Sequence, residues 1–414
     1  MKKFLALTLA LVMSLSLVAC GGKKTDDTKT DAPDQTEQPA ENEGAYKVAM
    51  ITDYGDITDQ SFNQTTYEAC KAFAEDNSIE FSYFKPAGDN TADRVAMIEK
   101  AVNDGFNVIV MPGYAFGGAI VEAAPEFPDV KFIALDVAAG DLLETAVAKA
   151  GEAYDYTPEN WDLNKYVDMS NVYCAVYQEE LCGYMAGYAA VKLGYKNLGF
   201  LGGMSVPAVV RYGYGFVQGV DAAAADLGLT DVKLNYIYGG QFFGDADITA
   251  VMDTWYQGGT EVVFACGGGI YTSAVDAAKK VGAKVIGVDV DQAGVIAKYA
   301  GVDGMTVTSA MKGLYPATYD TLTDVIVNGN WDKYVGKIAT LGLVSGTDPE
   351  ANYVQIPMGD GTQWSDSFTQ DDYKAMVKDM FDGKITVSNN TSSDVSAADF
   401  ATVITVDDQG SIKG

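Results

Sequence analysis

The sequence has no histidine, 28 Lys and Arg against 57 Asp and Glu, and five cysteines, none of them in a CxxC spacing. Each shortage removes a class of function. Without histidine there is no Ser-His-Asp or Cys-His arrangement. A formal net charge of −29 leaves too few clustered cations to follow a phosphate backbone, so nucleic acid is not an expected partner. So acidic a surface bears on solubility rather than on fold. Lacking CxxC, the chain offers no zinc or thiol-redox motif. No metal or cofactor is expected. Cys70, Cys174, Cys182 and Cys266 read as buried free thiols, with a Cys174–Cys182 bridge left open. The triplet Gly267-Gly268-Gly269 follows a strand pattern and precedes a helical one, but Thr272 stands where the last glycine of GxGxxG belongs. The dinucleotide signal is therefore weak.

Long apolar runs are also scarce, and the one of note opens the chain. Lys2 and Lys3 precede a largely apolar stretch, Phe4 to Val18, which leads into Leu17-Val18-Ala19-Cys20 and then Gly21-Gly22. This resembles a bacterial lipoprotein box: residues 1–19 as signal peptide, cut before Cys20, whose sulfur carries a diacylglycerol, with palmitate among the acyl groups. Two acyl chains suffice for stable anchoring where one is marginal. An uncleaved anchor helix or an ordinary secretory signal is the competing reading. Residues 20–45 are Lys, Thr, Asp, Pro, Gln and Glu with almost no apolar side chain, the composition of a disordered tether. A flexible coil of about 24 residues spans roughly 25–30 Å, which would hold the folded part just off the outer face of the cell membrane.

The rest of the chain is regular. At 414 residues two lobes are expected rather than one core. Strand and helix patterns alternate from Tyr46 onward, the mark of an α/β protein with parallel, doubly wound sheets. The expected division is 46–178 with about 306–345 as the first lobe, 179–305 with about 346–390 as the second, and 391–414 as a polar tail that frays. Residues 138–170, acidic and aromatic without clear period, read as an inserted excursion.

The functional signal sits at strand ends. Ile51-Thr52-Asp53, Ala134-Leu135-Asp136 and Gly287-Val288-Asp289 each end an apolar run in a carboxylate, and ligands of open α/β sheets lie at the strand carboxyl ends. Such an aspartate can also be a helix cap; three across two sheets favour a shared polar task. Carboxylates accept strong hydrogen bonds from hydroxyl and amino groups and repel phosphate, which allows a sugar or nucleoside and disfavours a nucleotide. Ser61 with Gln64 reads as a capping box starting the first helix. Phe62 beside them is either a stacking face or part of the buried helical stripe. Phe242-Phe243 lies in the glycine-flanked turn GGQFFGD, where two apolar rings favour a site role; either could stack on a planar ring. Lys312, in TSAMKG, is either an orienting cation among the carboxylates or a solvated lysine. An enzyme reading rests on Asp289 and Asp291 in VIGVDVDQ, as in aspartyl phosphohydrolases using Mg²⁺; that motif normally opens the sheet and here comes late.

The runs TDYGDITDQSFNQ, GFLGGMSVPAVVRYGYGFVQGV, GVDVDQ and TSAMKG, with the glycine triplet after VVFA, together resemble the basic membrane protein family of substrate-binding lipoproteins, over most of residues 46–390. The resemblance implies a periplasmic-binding-protein type I fold: two Rossmann-like lobes, three hinge crossovers, and a ligand between them. It implies a nucleoside-like ligand, a purine nucleoside in the best-known members, delivered by a monomer to an ABC permease. Carried over, Asp53 and Asn63 would contact base or sugar, Phe62 would stack, Asp136 would bind within the first lobe, and Asp289 and Lys312 would hold ribose hydroxyls. An aromatic of GGQFFGD would close the other side of the ring, and Gly268 joins the expected binding residues. Two departures stand out: residues 138–170 exceed the family's usual connection, and Thr58-Asp59-Gln60 replaces a commoner acidic-acidic-Lys/Arg pattern.

Overall fold

A computed structural model describes residues 45–413; the expected signal peptide, Cys20 and nearly all of the tether lie outside the described residues. From its first residues the chain alternates: β1 (Lys47–Ile51), α1 (Phe62–Asn77), β2 (Glu80–Phe84), α2 (Thr91–Asn103), β3 (Val108–Pro112), α3 (Gly117–Ala123), β4 (Lys131–Leu135), α4 (Ala139–Lys149), the short α5 (Leu163–Tyr166) and β5 (Val172–Tyr177). It then crosses over and repeats the pattern as α6 (Glu179–Lys192), β6 (Asn197–Gly202), α7 (Pro207–Leu227), β7 (Lys233–Tyr238), α8 (Ala246–Gln257), β8 (Val262–Cys266), α9 (Tyr271–Val281), β9 (Lys284–Asp289), α10 (Ala293–Ala300) and β10 (Thr306–Lys312). It crosses back for α11 (Leu314–Leu322) and β11 (Ile338–Leu341), and crosses a third time into β12 (Val354–Gln355), α12 (Gln370–Phe381) and β13 (Thr405–Ser411).

Two sheets result, ordered β2-β1-β3-β4-β5-β11 and β13-β7-β6-β8-β9-β10-β12. Every neighbouring pair is parallel except β10 with β12. Helices cover both faces of such sheets, so central strands read as unbroken apolar runs; β3 and β8 are buried at every residue. This is the α/β fold of two parallel-sheet lobes that the alternation predicts. The three crossovers run side by side: Gln178 N–H donates to Leu341 O (2.9 Å), Gly313 N–H to Tyr353 O (2.7 Å), and Tyr353 N–H to Gly342 O (3.0 Å).

Helices α6 and α7 approach each other through glycine. A Cβ on Gly215 or Gly219 would come within 2.1 Å of the carbonyl oxygens of Glu180 or Tyr184, and one on Gly183 or Gly187 within 2.3 and 2.4 Å of those of Tyr212 and Phe216. Glycines four apart share one helix face, so the two backbones touch. That contact sets the first residues of α6, Glu179 and Glu180, beside Arg211 and Tyr212 of α7.

Four expectations are corrected. The segment 306–312 belongs to the second sheet, paired with β9, and the return to the first lobe comes at Gly313; period alone does not say which strand a strand will join. The 391–414 tail does not fray: β13 pairs with β7 in parallel, and Ala397 is fully buried. As an edge strand held through its backbone, β13 exposes nearly every side chain and so carries no apolar rhythm. Residues 138–170 open with α4, an ordinary crossover helix with Leu142, Leu143, Ala146 and Val147 buried; only about 150–170 is irregular. The Ser61–Gln64 capping box does not form. Asp59 caps α1 instead, accepting from the N–H groups of Ser61, Asn63 and Gln64 at 3.0, 2.9 and 3.1 Å. All four described cysteines are free and buried, with no Cys174–Cys182 bridge.

Candidate functional site

A cleft of about 420 Å³ opens at the carboxyl ends of both sheets, within the usual size range of small-molecule sites. Its lining includes all nine expected binding residues: Asp53, Phe62 and Asn63 from β1 and the start of α1, Asp136 after β4, Phe242 and Phe243 after β7, Gly268 after β8, Asp289 ending β9 and Lys312 ending β10.

The first-lobe wall is built of carboxylates and amides with open valences. Asp53 Oδ1 accepts from the N–H groups of Tyr54 (2.6 Å) and Gly55 (2.7 Å) and from Asn63 Nδ2 (3.2 Å). Its Oδ2 lies beside Gly113, whose φ of +126° and proximity to Asp53 admit no side chain. Burial pushes the Asp53 carboxyl above the usual range, and the backbone donors of Gly55 and Tyr54 oppose it. Asn63 Oδ1 and Asp136 Oδ1 are buried and accept no hydrogen bond, and unpaired buried acceptors are uncommon enough to call for a partner.

The second-lobe wall is a charge cluster centred on Lys312, in which Glu179 Oε1 is buried and accepts no hydrogen bond. Lys312 Nζ lies 2.5 Å from Asp136 Oδ2 and 3.6 Å from both Asp289 Oδ1 and Glu179 Oε1. Burial disfavours its charge, and Asp136, Asp289 and Glu179 outweigh burial, holding the ammonium protonated above its ordinary range. Asp289 accepts from Ser61 Oγ across the cleft (2.5 Å) and from Tyr212 OH (3.2 Å), and Glu179 Oε2 accepts from Arg211 Nε (2.7 Å). Lys312 is thus an orienting cation rather than a solvated one; it also stands 4.6 Å over the Phe62 ring. Phe62 serves both readings at once, lining the cleft and packing against core residues of both lobes. The glycine triplet holds the aromatic turn: Gly269 N–H donates to Phe242 O (2.9 Å), and a Cβ on Gly203 or Gly267 would strike the Phe242 ring at 2.3 or 2.8 Å. Phe243 is 55% exposed. Asp291 turns away from Asp289, accepting from Ala293 N–H (3.0 Å) and abutting Gly361, so these two carboxylates do not form the pair the phosphohydrolase reading needs.

Several cleft residues were not anticipated. Tyr54 and Tyr114, from the first lobe, reach Met204 Sδ of the second at 3.7 and 3.9 Å. Glu179, Arg211 and Tyr212 complete the charge cluster, and Asp141 lines the rim. One signal for them was present. The chain has two arginines, Arg94 and Arg211: Arg211 lines the cleft, and Arg94 supports it from behind, its Nε donating to Asp53 O (3.1 Å). No cluster of metal-ligating side chains and no helix long and apolar enough to cross a membrane occurs among the described residues.

The profile of the family described as ABC transporter substrate-binding protein, PnrA-like, matches residues 46–348. An ABC transporter nucleoside-binding protein of Lactococcus lactis is 25% identical over 401 residues, 94% of this chain and 99% of that protein. Basic membrane protein B of Borreliella burgdorferi is 26% identical over 75% of this chain and 83% of its own length. An uncharacterized lipoprotein of Pyrococcus abyssi is 26% identical over 82% of this chain and 74% of its own. Among solved structures, ABC transporter solute-binding proteins of Aeropyrum pernix and Conexibacter woesei superpose with TM-scores of 0.59 and 0.58 at 20% and 21% identity, covering 84% and 83% of this chain and 88% and 99% of theirs. At that identity the likeness is one of fold.

Proposed function

Because the chain belongs to the family of PnrA-like ABC transporter substrate-binding proteins, we propose that its cleft takes a nucleoside, a purine nucleoside by preference, and delivers it to a membrane permease. The observation that carries this reading is the charge balance of the cleft. Lys312 faces three carboxylates, Arg211 is committed to Glu179, and Lys85 at the mouth pairs with Asp56 at 2.9 Å. A phosphate entering here meets carboxylates without a spare cation, whereas hydroxyl and amino donors meet the open acceptors Asp53 Oδ2, Asn63 Oδ1 and Asp136 Oδ1. Phe62 and the Phe242–Phe243 turn supply faces for a planar ring, worth about 0.5–1.5 kcal/mol per stacked pair beyond burial. In this reading Asp289 and Lys312 hold ribose hydroxyls and Gly268 admits the ligand close to the backbone. The Lactococcus relative, named as nucleoside-binding, supports the ligand class.

The proposed setting is the outer face of the cell membrane. Cys20, acylated after removal of residues 1–19, anchors a monomer whose tether leaves the lobes free to close by hinge motion at the three crossovers. Relatives named as lipoproteins support the anchor. Isothermal titration without metal tests the ligand: adenosine, guanosine or inosine should bind saturably, and the corresponding monophosphates at least about a hundredfold more weakly, since like-charge juxtaposition costs several kcal/mol. Equal or tighter binding of a monophosphate, or no binding of any nucleoside, overturns the reading.

A further inference from the structure

Residues 402–413 lie outside the family match at 46–348, yet the structure ties them to the cleft. Asp221 captures the segment as it approaches, accepting from the N–H groups of Thr402 (2.8 Å), Val403 (2.8 Å) and Ile404 (3.2 Å) and from Thr402 Oγ1 (2.6 Å). β13 then runs along β7 from Thr405 beside Lys233 to Ser411 beside Tyr238. Trp255 Nε1 donates to Gln409 Oε1 (3.2 Å), and Ile412 N–H to Tyr238 O (2.8 Å). Running parallel to β7, the segment ends where β7 ends, at the turn carrying Phe242 and Phe243.

There Lys413 Nζ bonds Asp245 Oδ2 and, at 2.9 Å, Gln241 Oε1. These two side chains bracket the aromatic pair. Gln241 Nε2 donates to Phe243 O (2.9 Å) and to Asp245 Oδ2 (3.0 Å), and Asp245 Oδ1 caps α8 through Ile248 N–H (3.0 Å). Gly240, at φ +79°, gives the lysine room: a Cβ there would lie 2.7 Å from Lys413 Cβ. On its inner side the turn is held by Gly269; on its outer side Lys413 joins its two flanks with one charge. Ile248 N–H and then Lys413 hold the Asp245 carboxyl below its ordinary range.

We propose that Lys413, presented by β13, is a positioning residue that clamps the Gln241–Asp245 turn and so fixes the aromatic wall of the cleft. Its effect on affinity rests on the nucleoside reading; its effect on the turn does not. The test is Lys413→Met in the full chain, with Lys413→Arg as the conservative control. Amide exchange at residues 241–245, measured without ligand, should quicken about tenfold in Lys413→Met while the melting temperature stays within about 2 °C, as suits a local opening. Affinity for the tightest nucleoside should fall about fivefold, in keeping with one partly exposed charged contact, and Lys413→Arg should restore both. In a Phe242→Ala/Phe243→Ala background the affinity effect of Lys413→Met should vanish, because residues acting through one another are not additive. Unchanged exchange at 241–245 overturns the clamp, and an undiminished affinity loss in that background overturns its action through the aromatic pair. If the unsubstituted protein binds no nucleoside, the functional reading fails and the exchange measurement still decides the clamp.

Discussion

Asp136 and Asp289 occupy equivalent places in the two sheets, after β4 and at the end of β9, each fourth from the outer β2 or β13–β7 side once the added edge strand is set apart. Both take a positive φ, 59° and 64°, a conformation few residues other than glycine adopt, and one that clusters at functional sites. The shared backbone turns both carboxylates toward Lys312. Their remaining surroundings differ. Asp289 is partnered on both oxygens, with Ser61 on one and Tyr212 and Lys312 on the other. Asp136 gives one oxygen to Lys312 and leaves the other unpartnered. Ser61 reaches from the first lobe to Asp289 in the second, and Lys312 from the second lobe to Asp136 in the first, so the lobes exchange bonds across the cleft. Both aspartates tie the lobes together, and Asp136 also keeps an oxygen without a partner.

Removing the cation they share tests this division most severely. Lys312→Met leaves buried carboxylates without their counter-charge, and breaking such a group from one side costs about 3–5 kcal/mol. Urea unfolding should show that loss at pH 8 and a clearly smaller one at pH 5.5, where Asp136, already raised by burial against the pull of Lys312, takes up a proton. A loss that is the same at both pH values would mean Lys312 supports the fold by packing alone.

Separate truncations sharpen the contrast. Asp289→Ala and Asp136→Ala should each weaken nucleoside binding by about a hundredfold or more, roughly the worth of a buried hydrogen-bonded charge, while the protein stays folded. Asp289→Ala should also lower stability by about 1–3 kcal/mol, because the Ser61 and Tyr212 hydroxyls lose their acceptor. Asp136→Ala leaves Lys312 with Glu179 and Asp289 and should cost less. Equal stability losses would erase the distinction between the two aspartates, and unchanged affinity would remove that aspartate from the site.

The same pair shows how far the sequence could be read. An apolar run ending in aspartate is a local pattern, so the strand ends, the two lobes and the three aspartates were legible in the residues themselves, whereas Asn63 and Gly268 were expected only through the family resemblance. Glu179 and Arg211 were not. Their meeting depends on two helices touching through Gly183, Gly187, Gly215 and Gly219, and closeness between separate helices leaves no period along either one. The chain's having two arginines was a usable sign, because a guanidinium in so acidic a chain has many surface partners and yet Arg211 lines the cleft and Arg94 bonds the backbone of a cleft residue, Asp53. The placement of β10 and the docking of β13 were hidden for a related reason. Backbone pairing decides both, and every backbone offers the same groups. Ser61 misled because its hydroxyl suits a helix cap equally well; Asp59 two residues earlier took the cap and released it to Asp289.

The smallest expected effect compares two buried carboxyls, one in each lobe, that make no ion pair with Lys312. Burial pushes Asp141, opening α4 in the first lobe, up to about 7, against the N–H of Ala138, and pushes Glu180, opening α6 in the second, up to about 7 as well. Unfolded, such groups titrate near 4. The native state therefore holds more protons than the unfolded state across the interval between, and the stability these groups contribute is full below about pH 4 and drains away as pH rises through about 7. Melting should consequently occur about 2 °C or more higher at pH 5.5 than at pH 8, for a protein of this size. Asp141→Asn, whose amide oxygen can still accept from Ala138 N–H, should remove the first lobe's share of that slope, and Glu180→Gln the second's. Should one substitution flatten the whole slope and the other none of it, the proton uptake belongs to a single lobe; should the double variant keep the full slope, it belongs to neither residue.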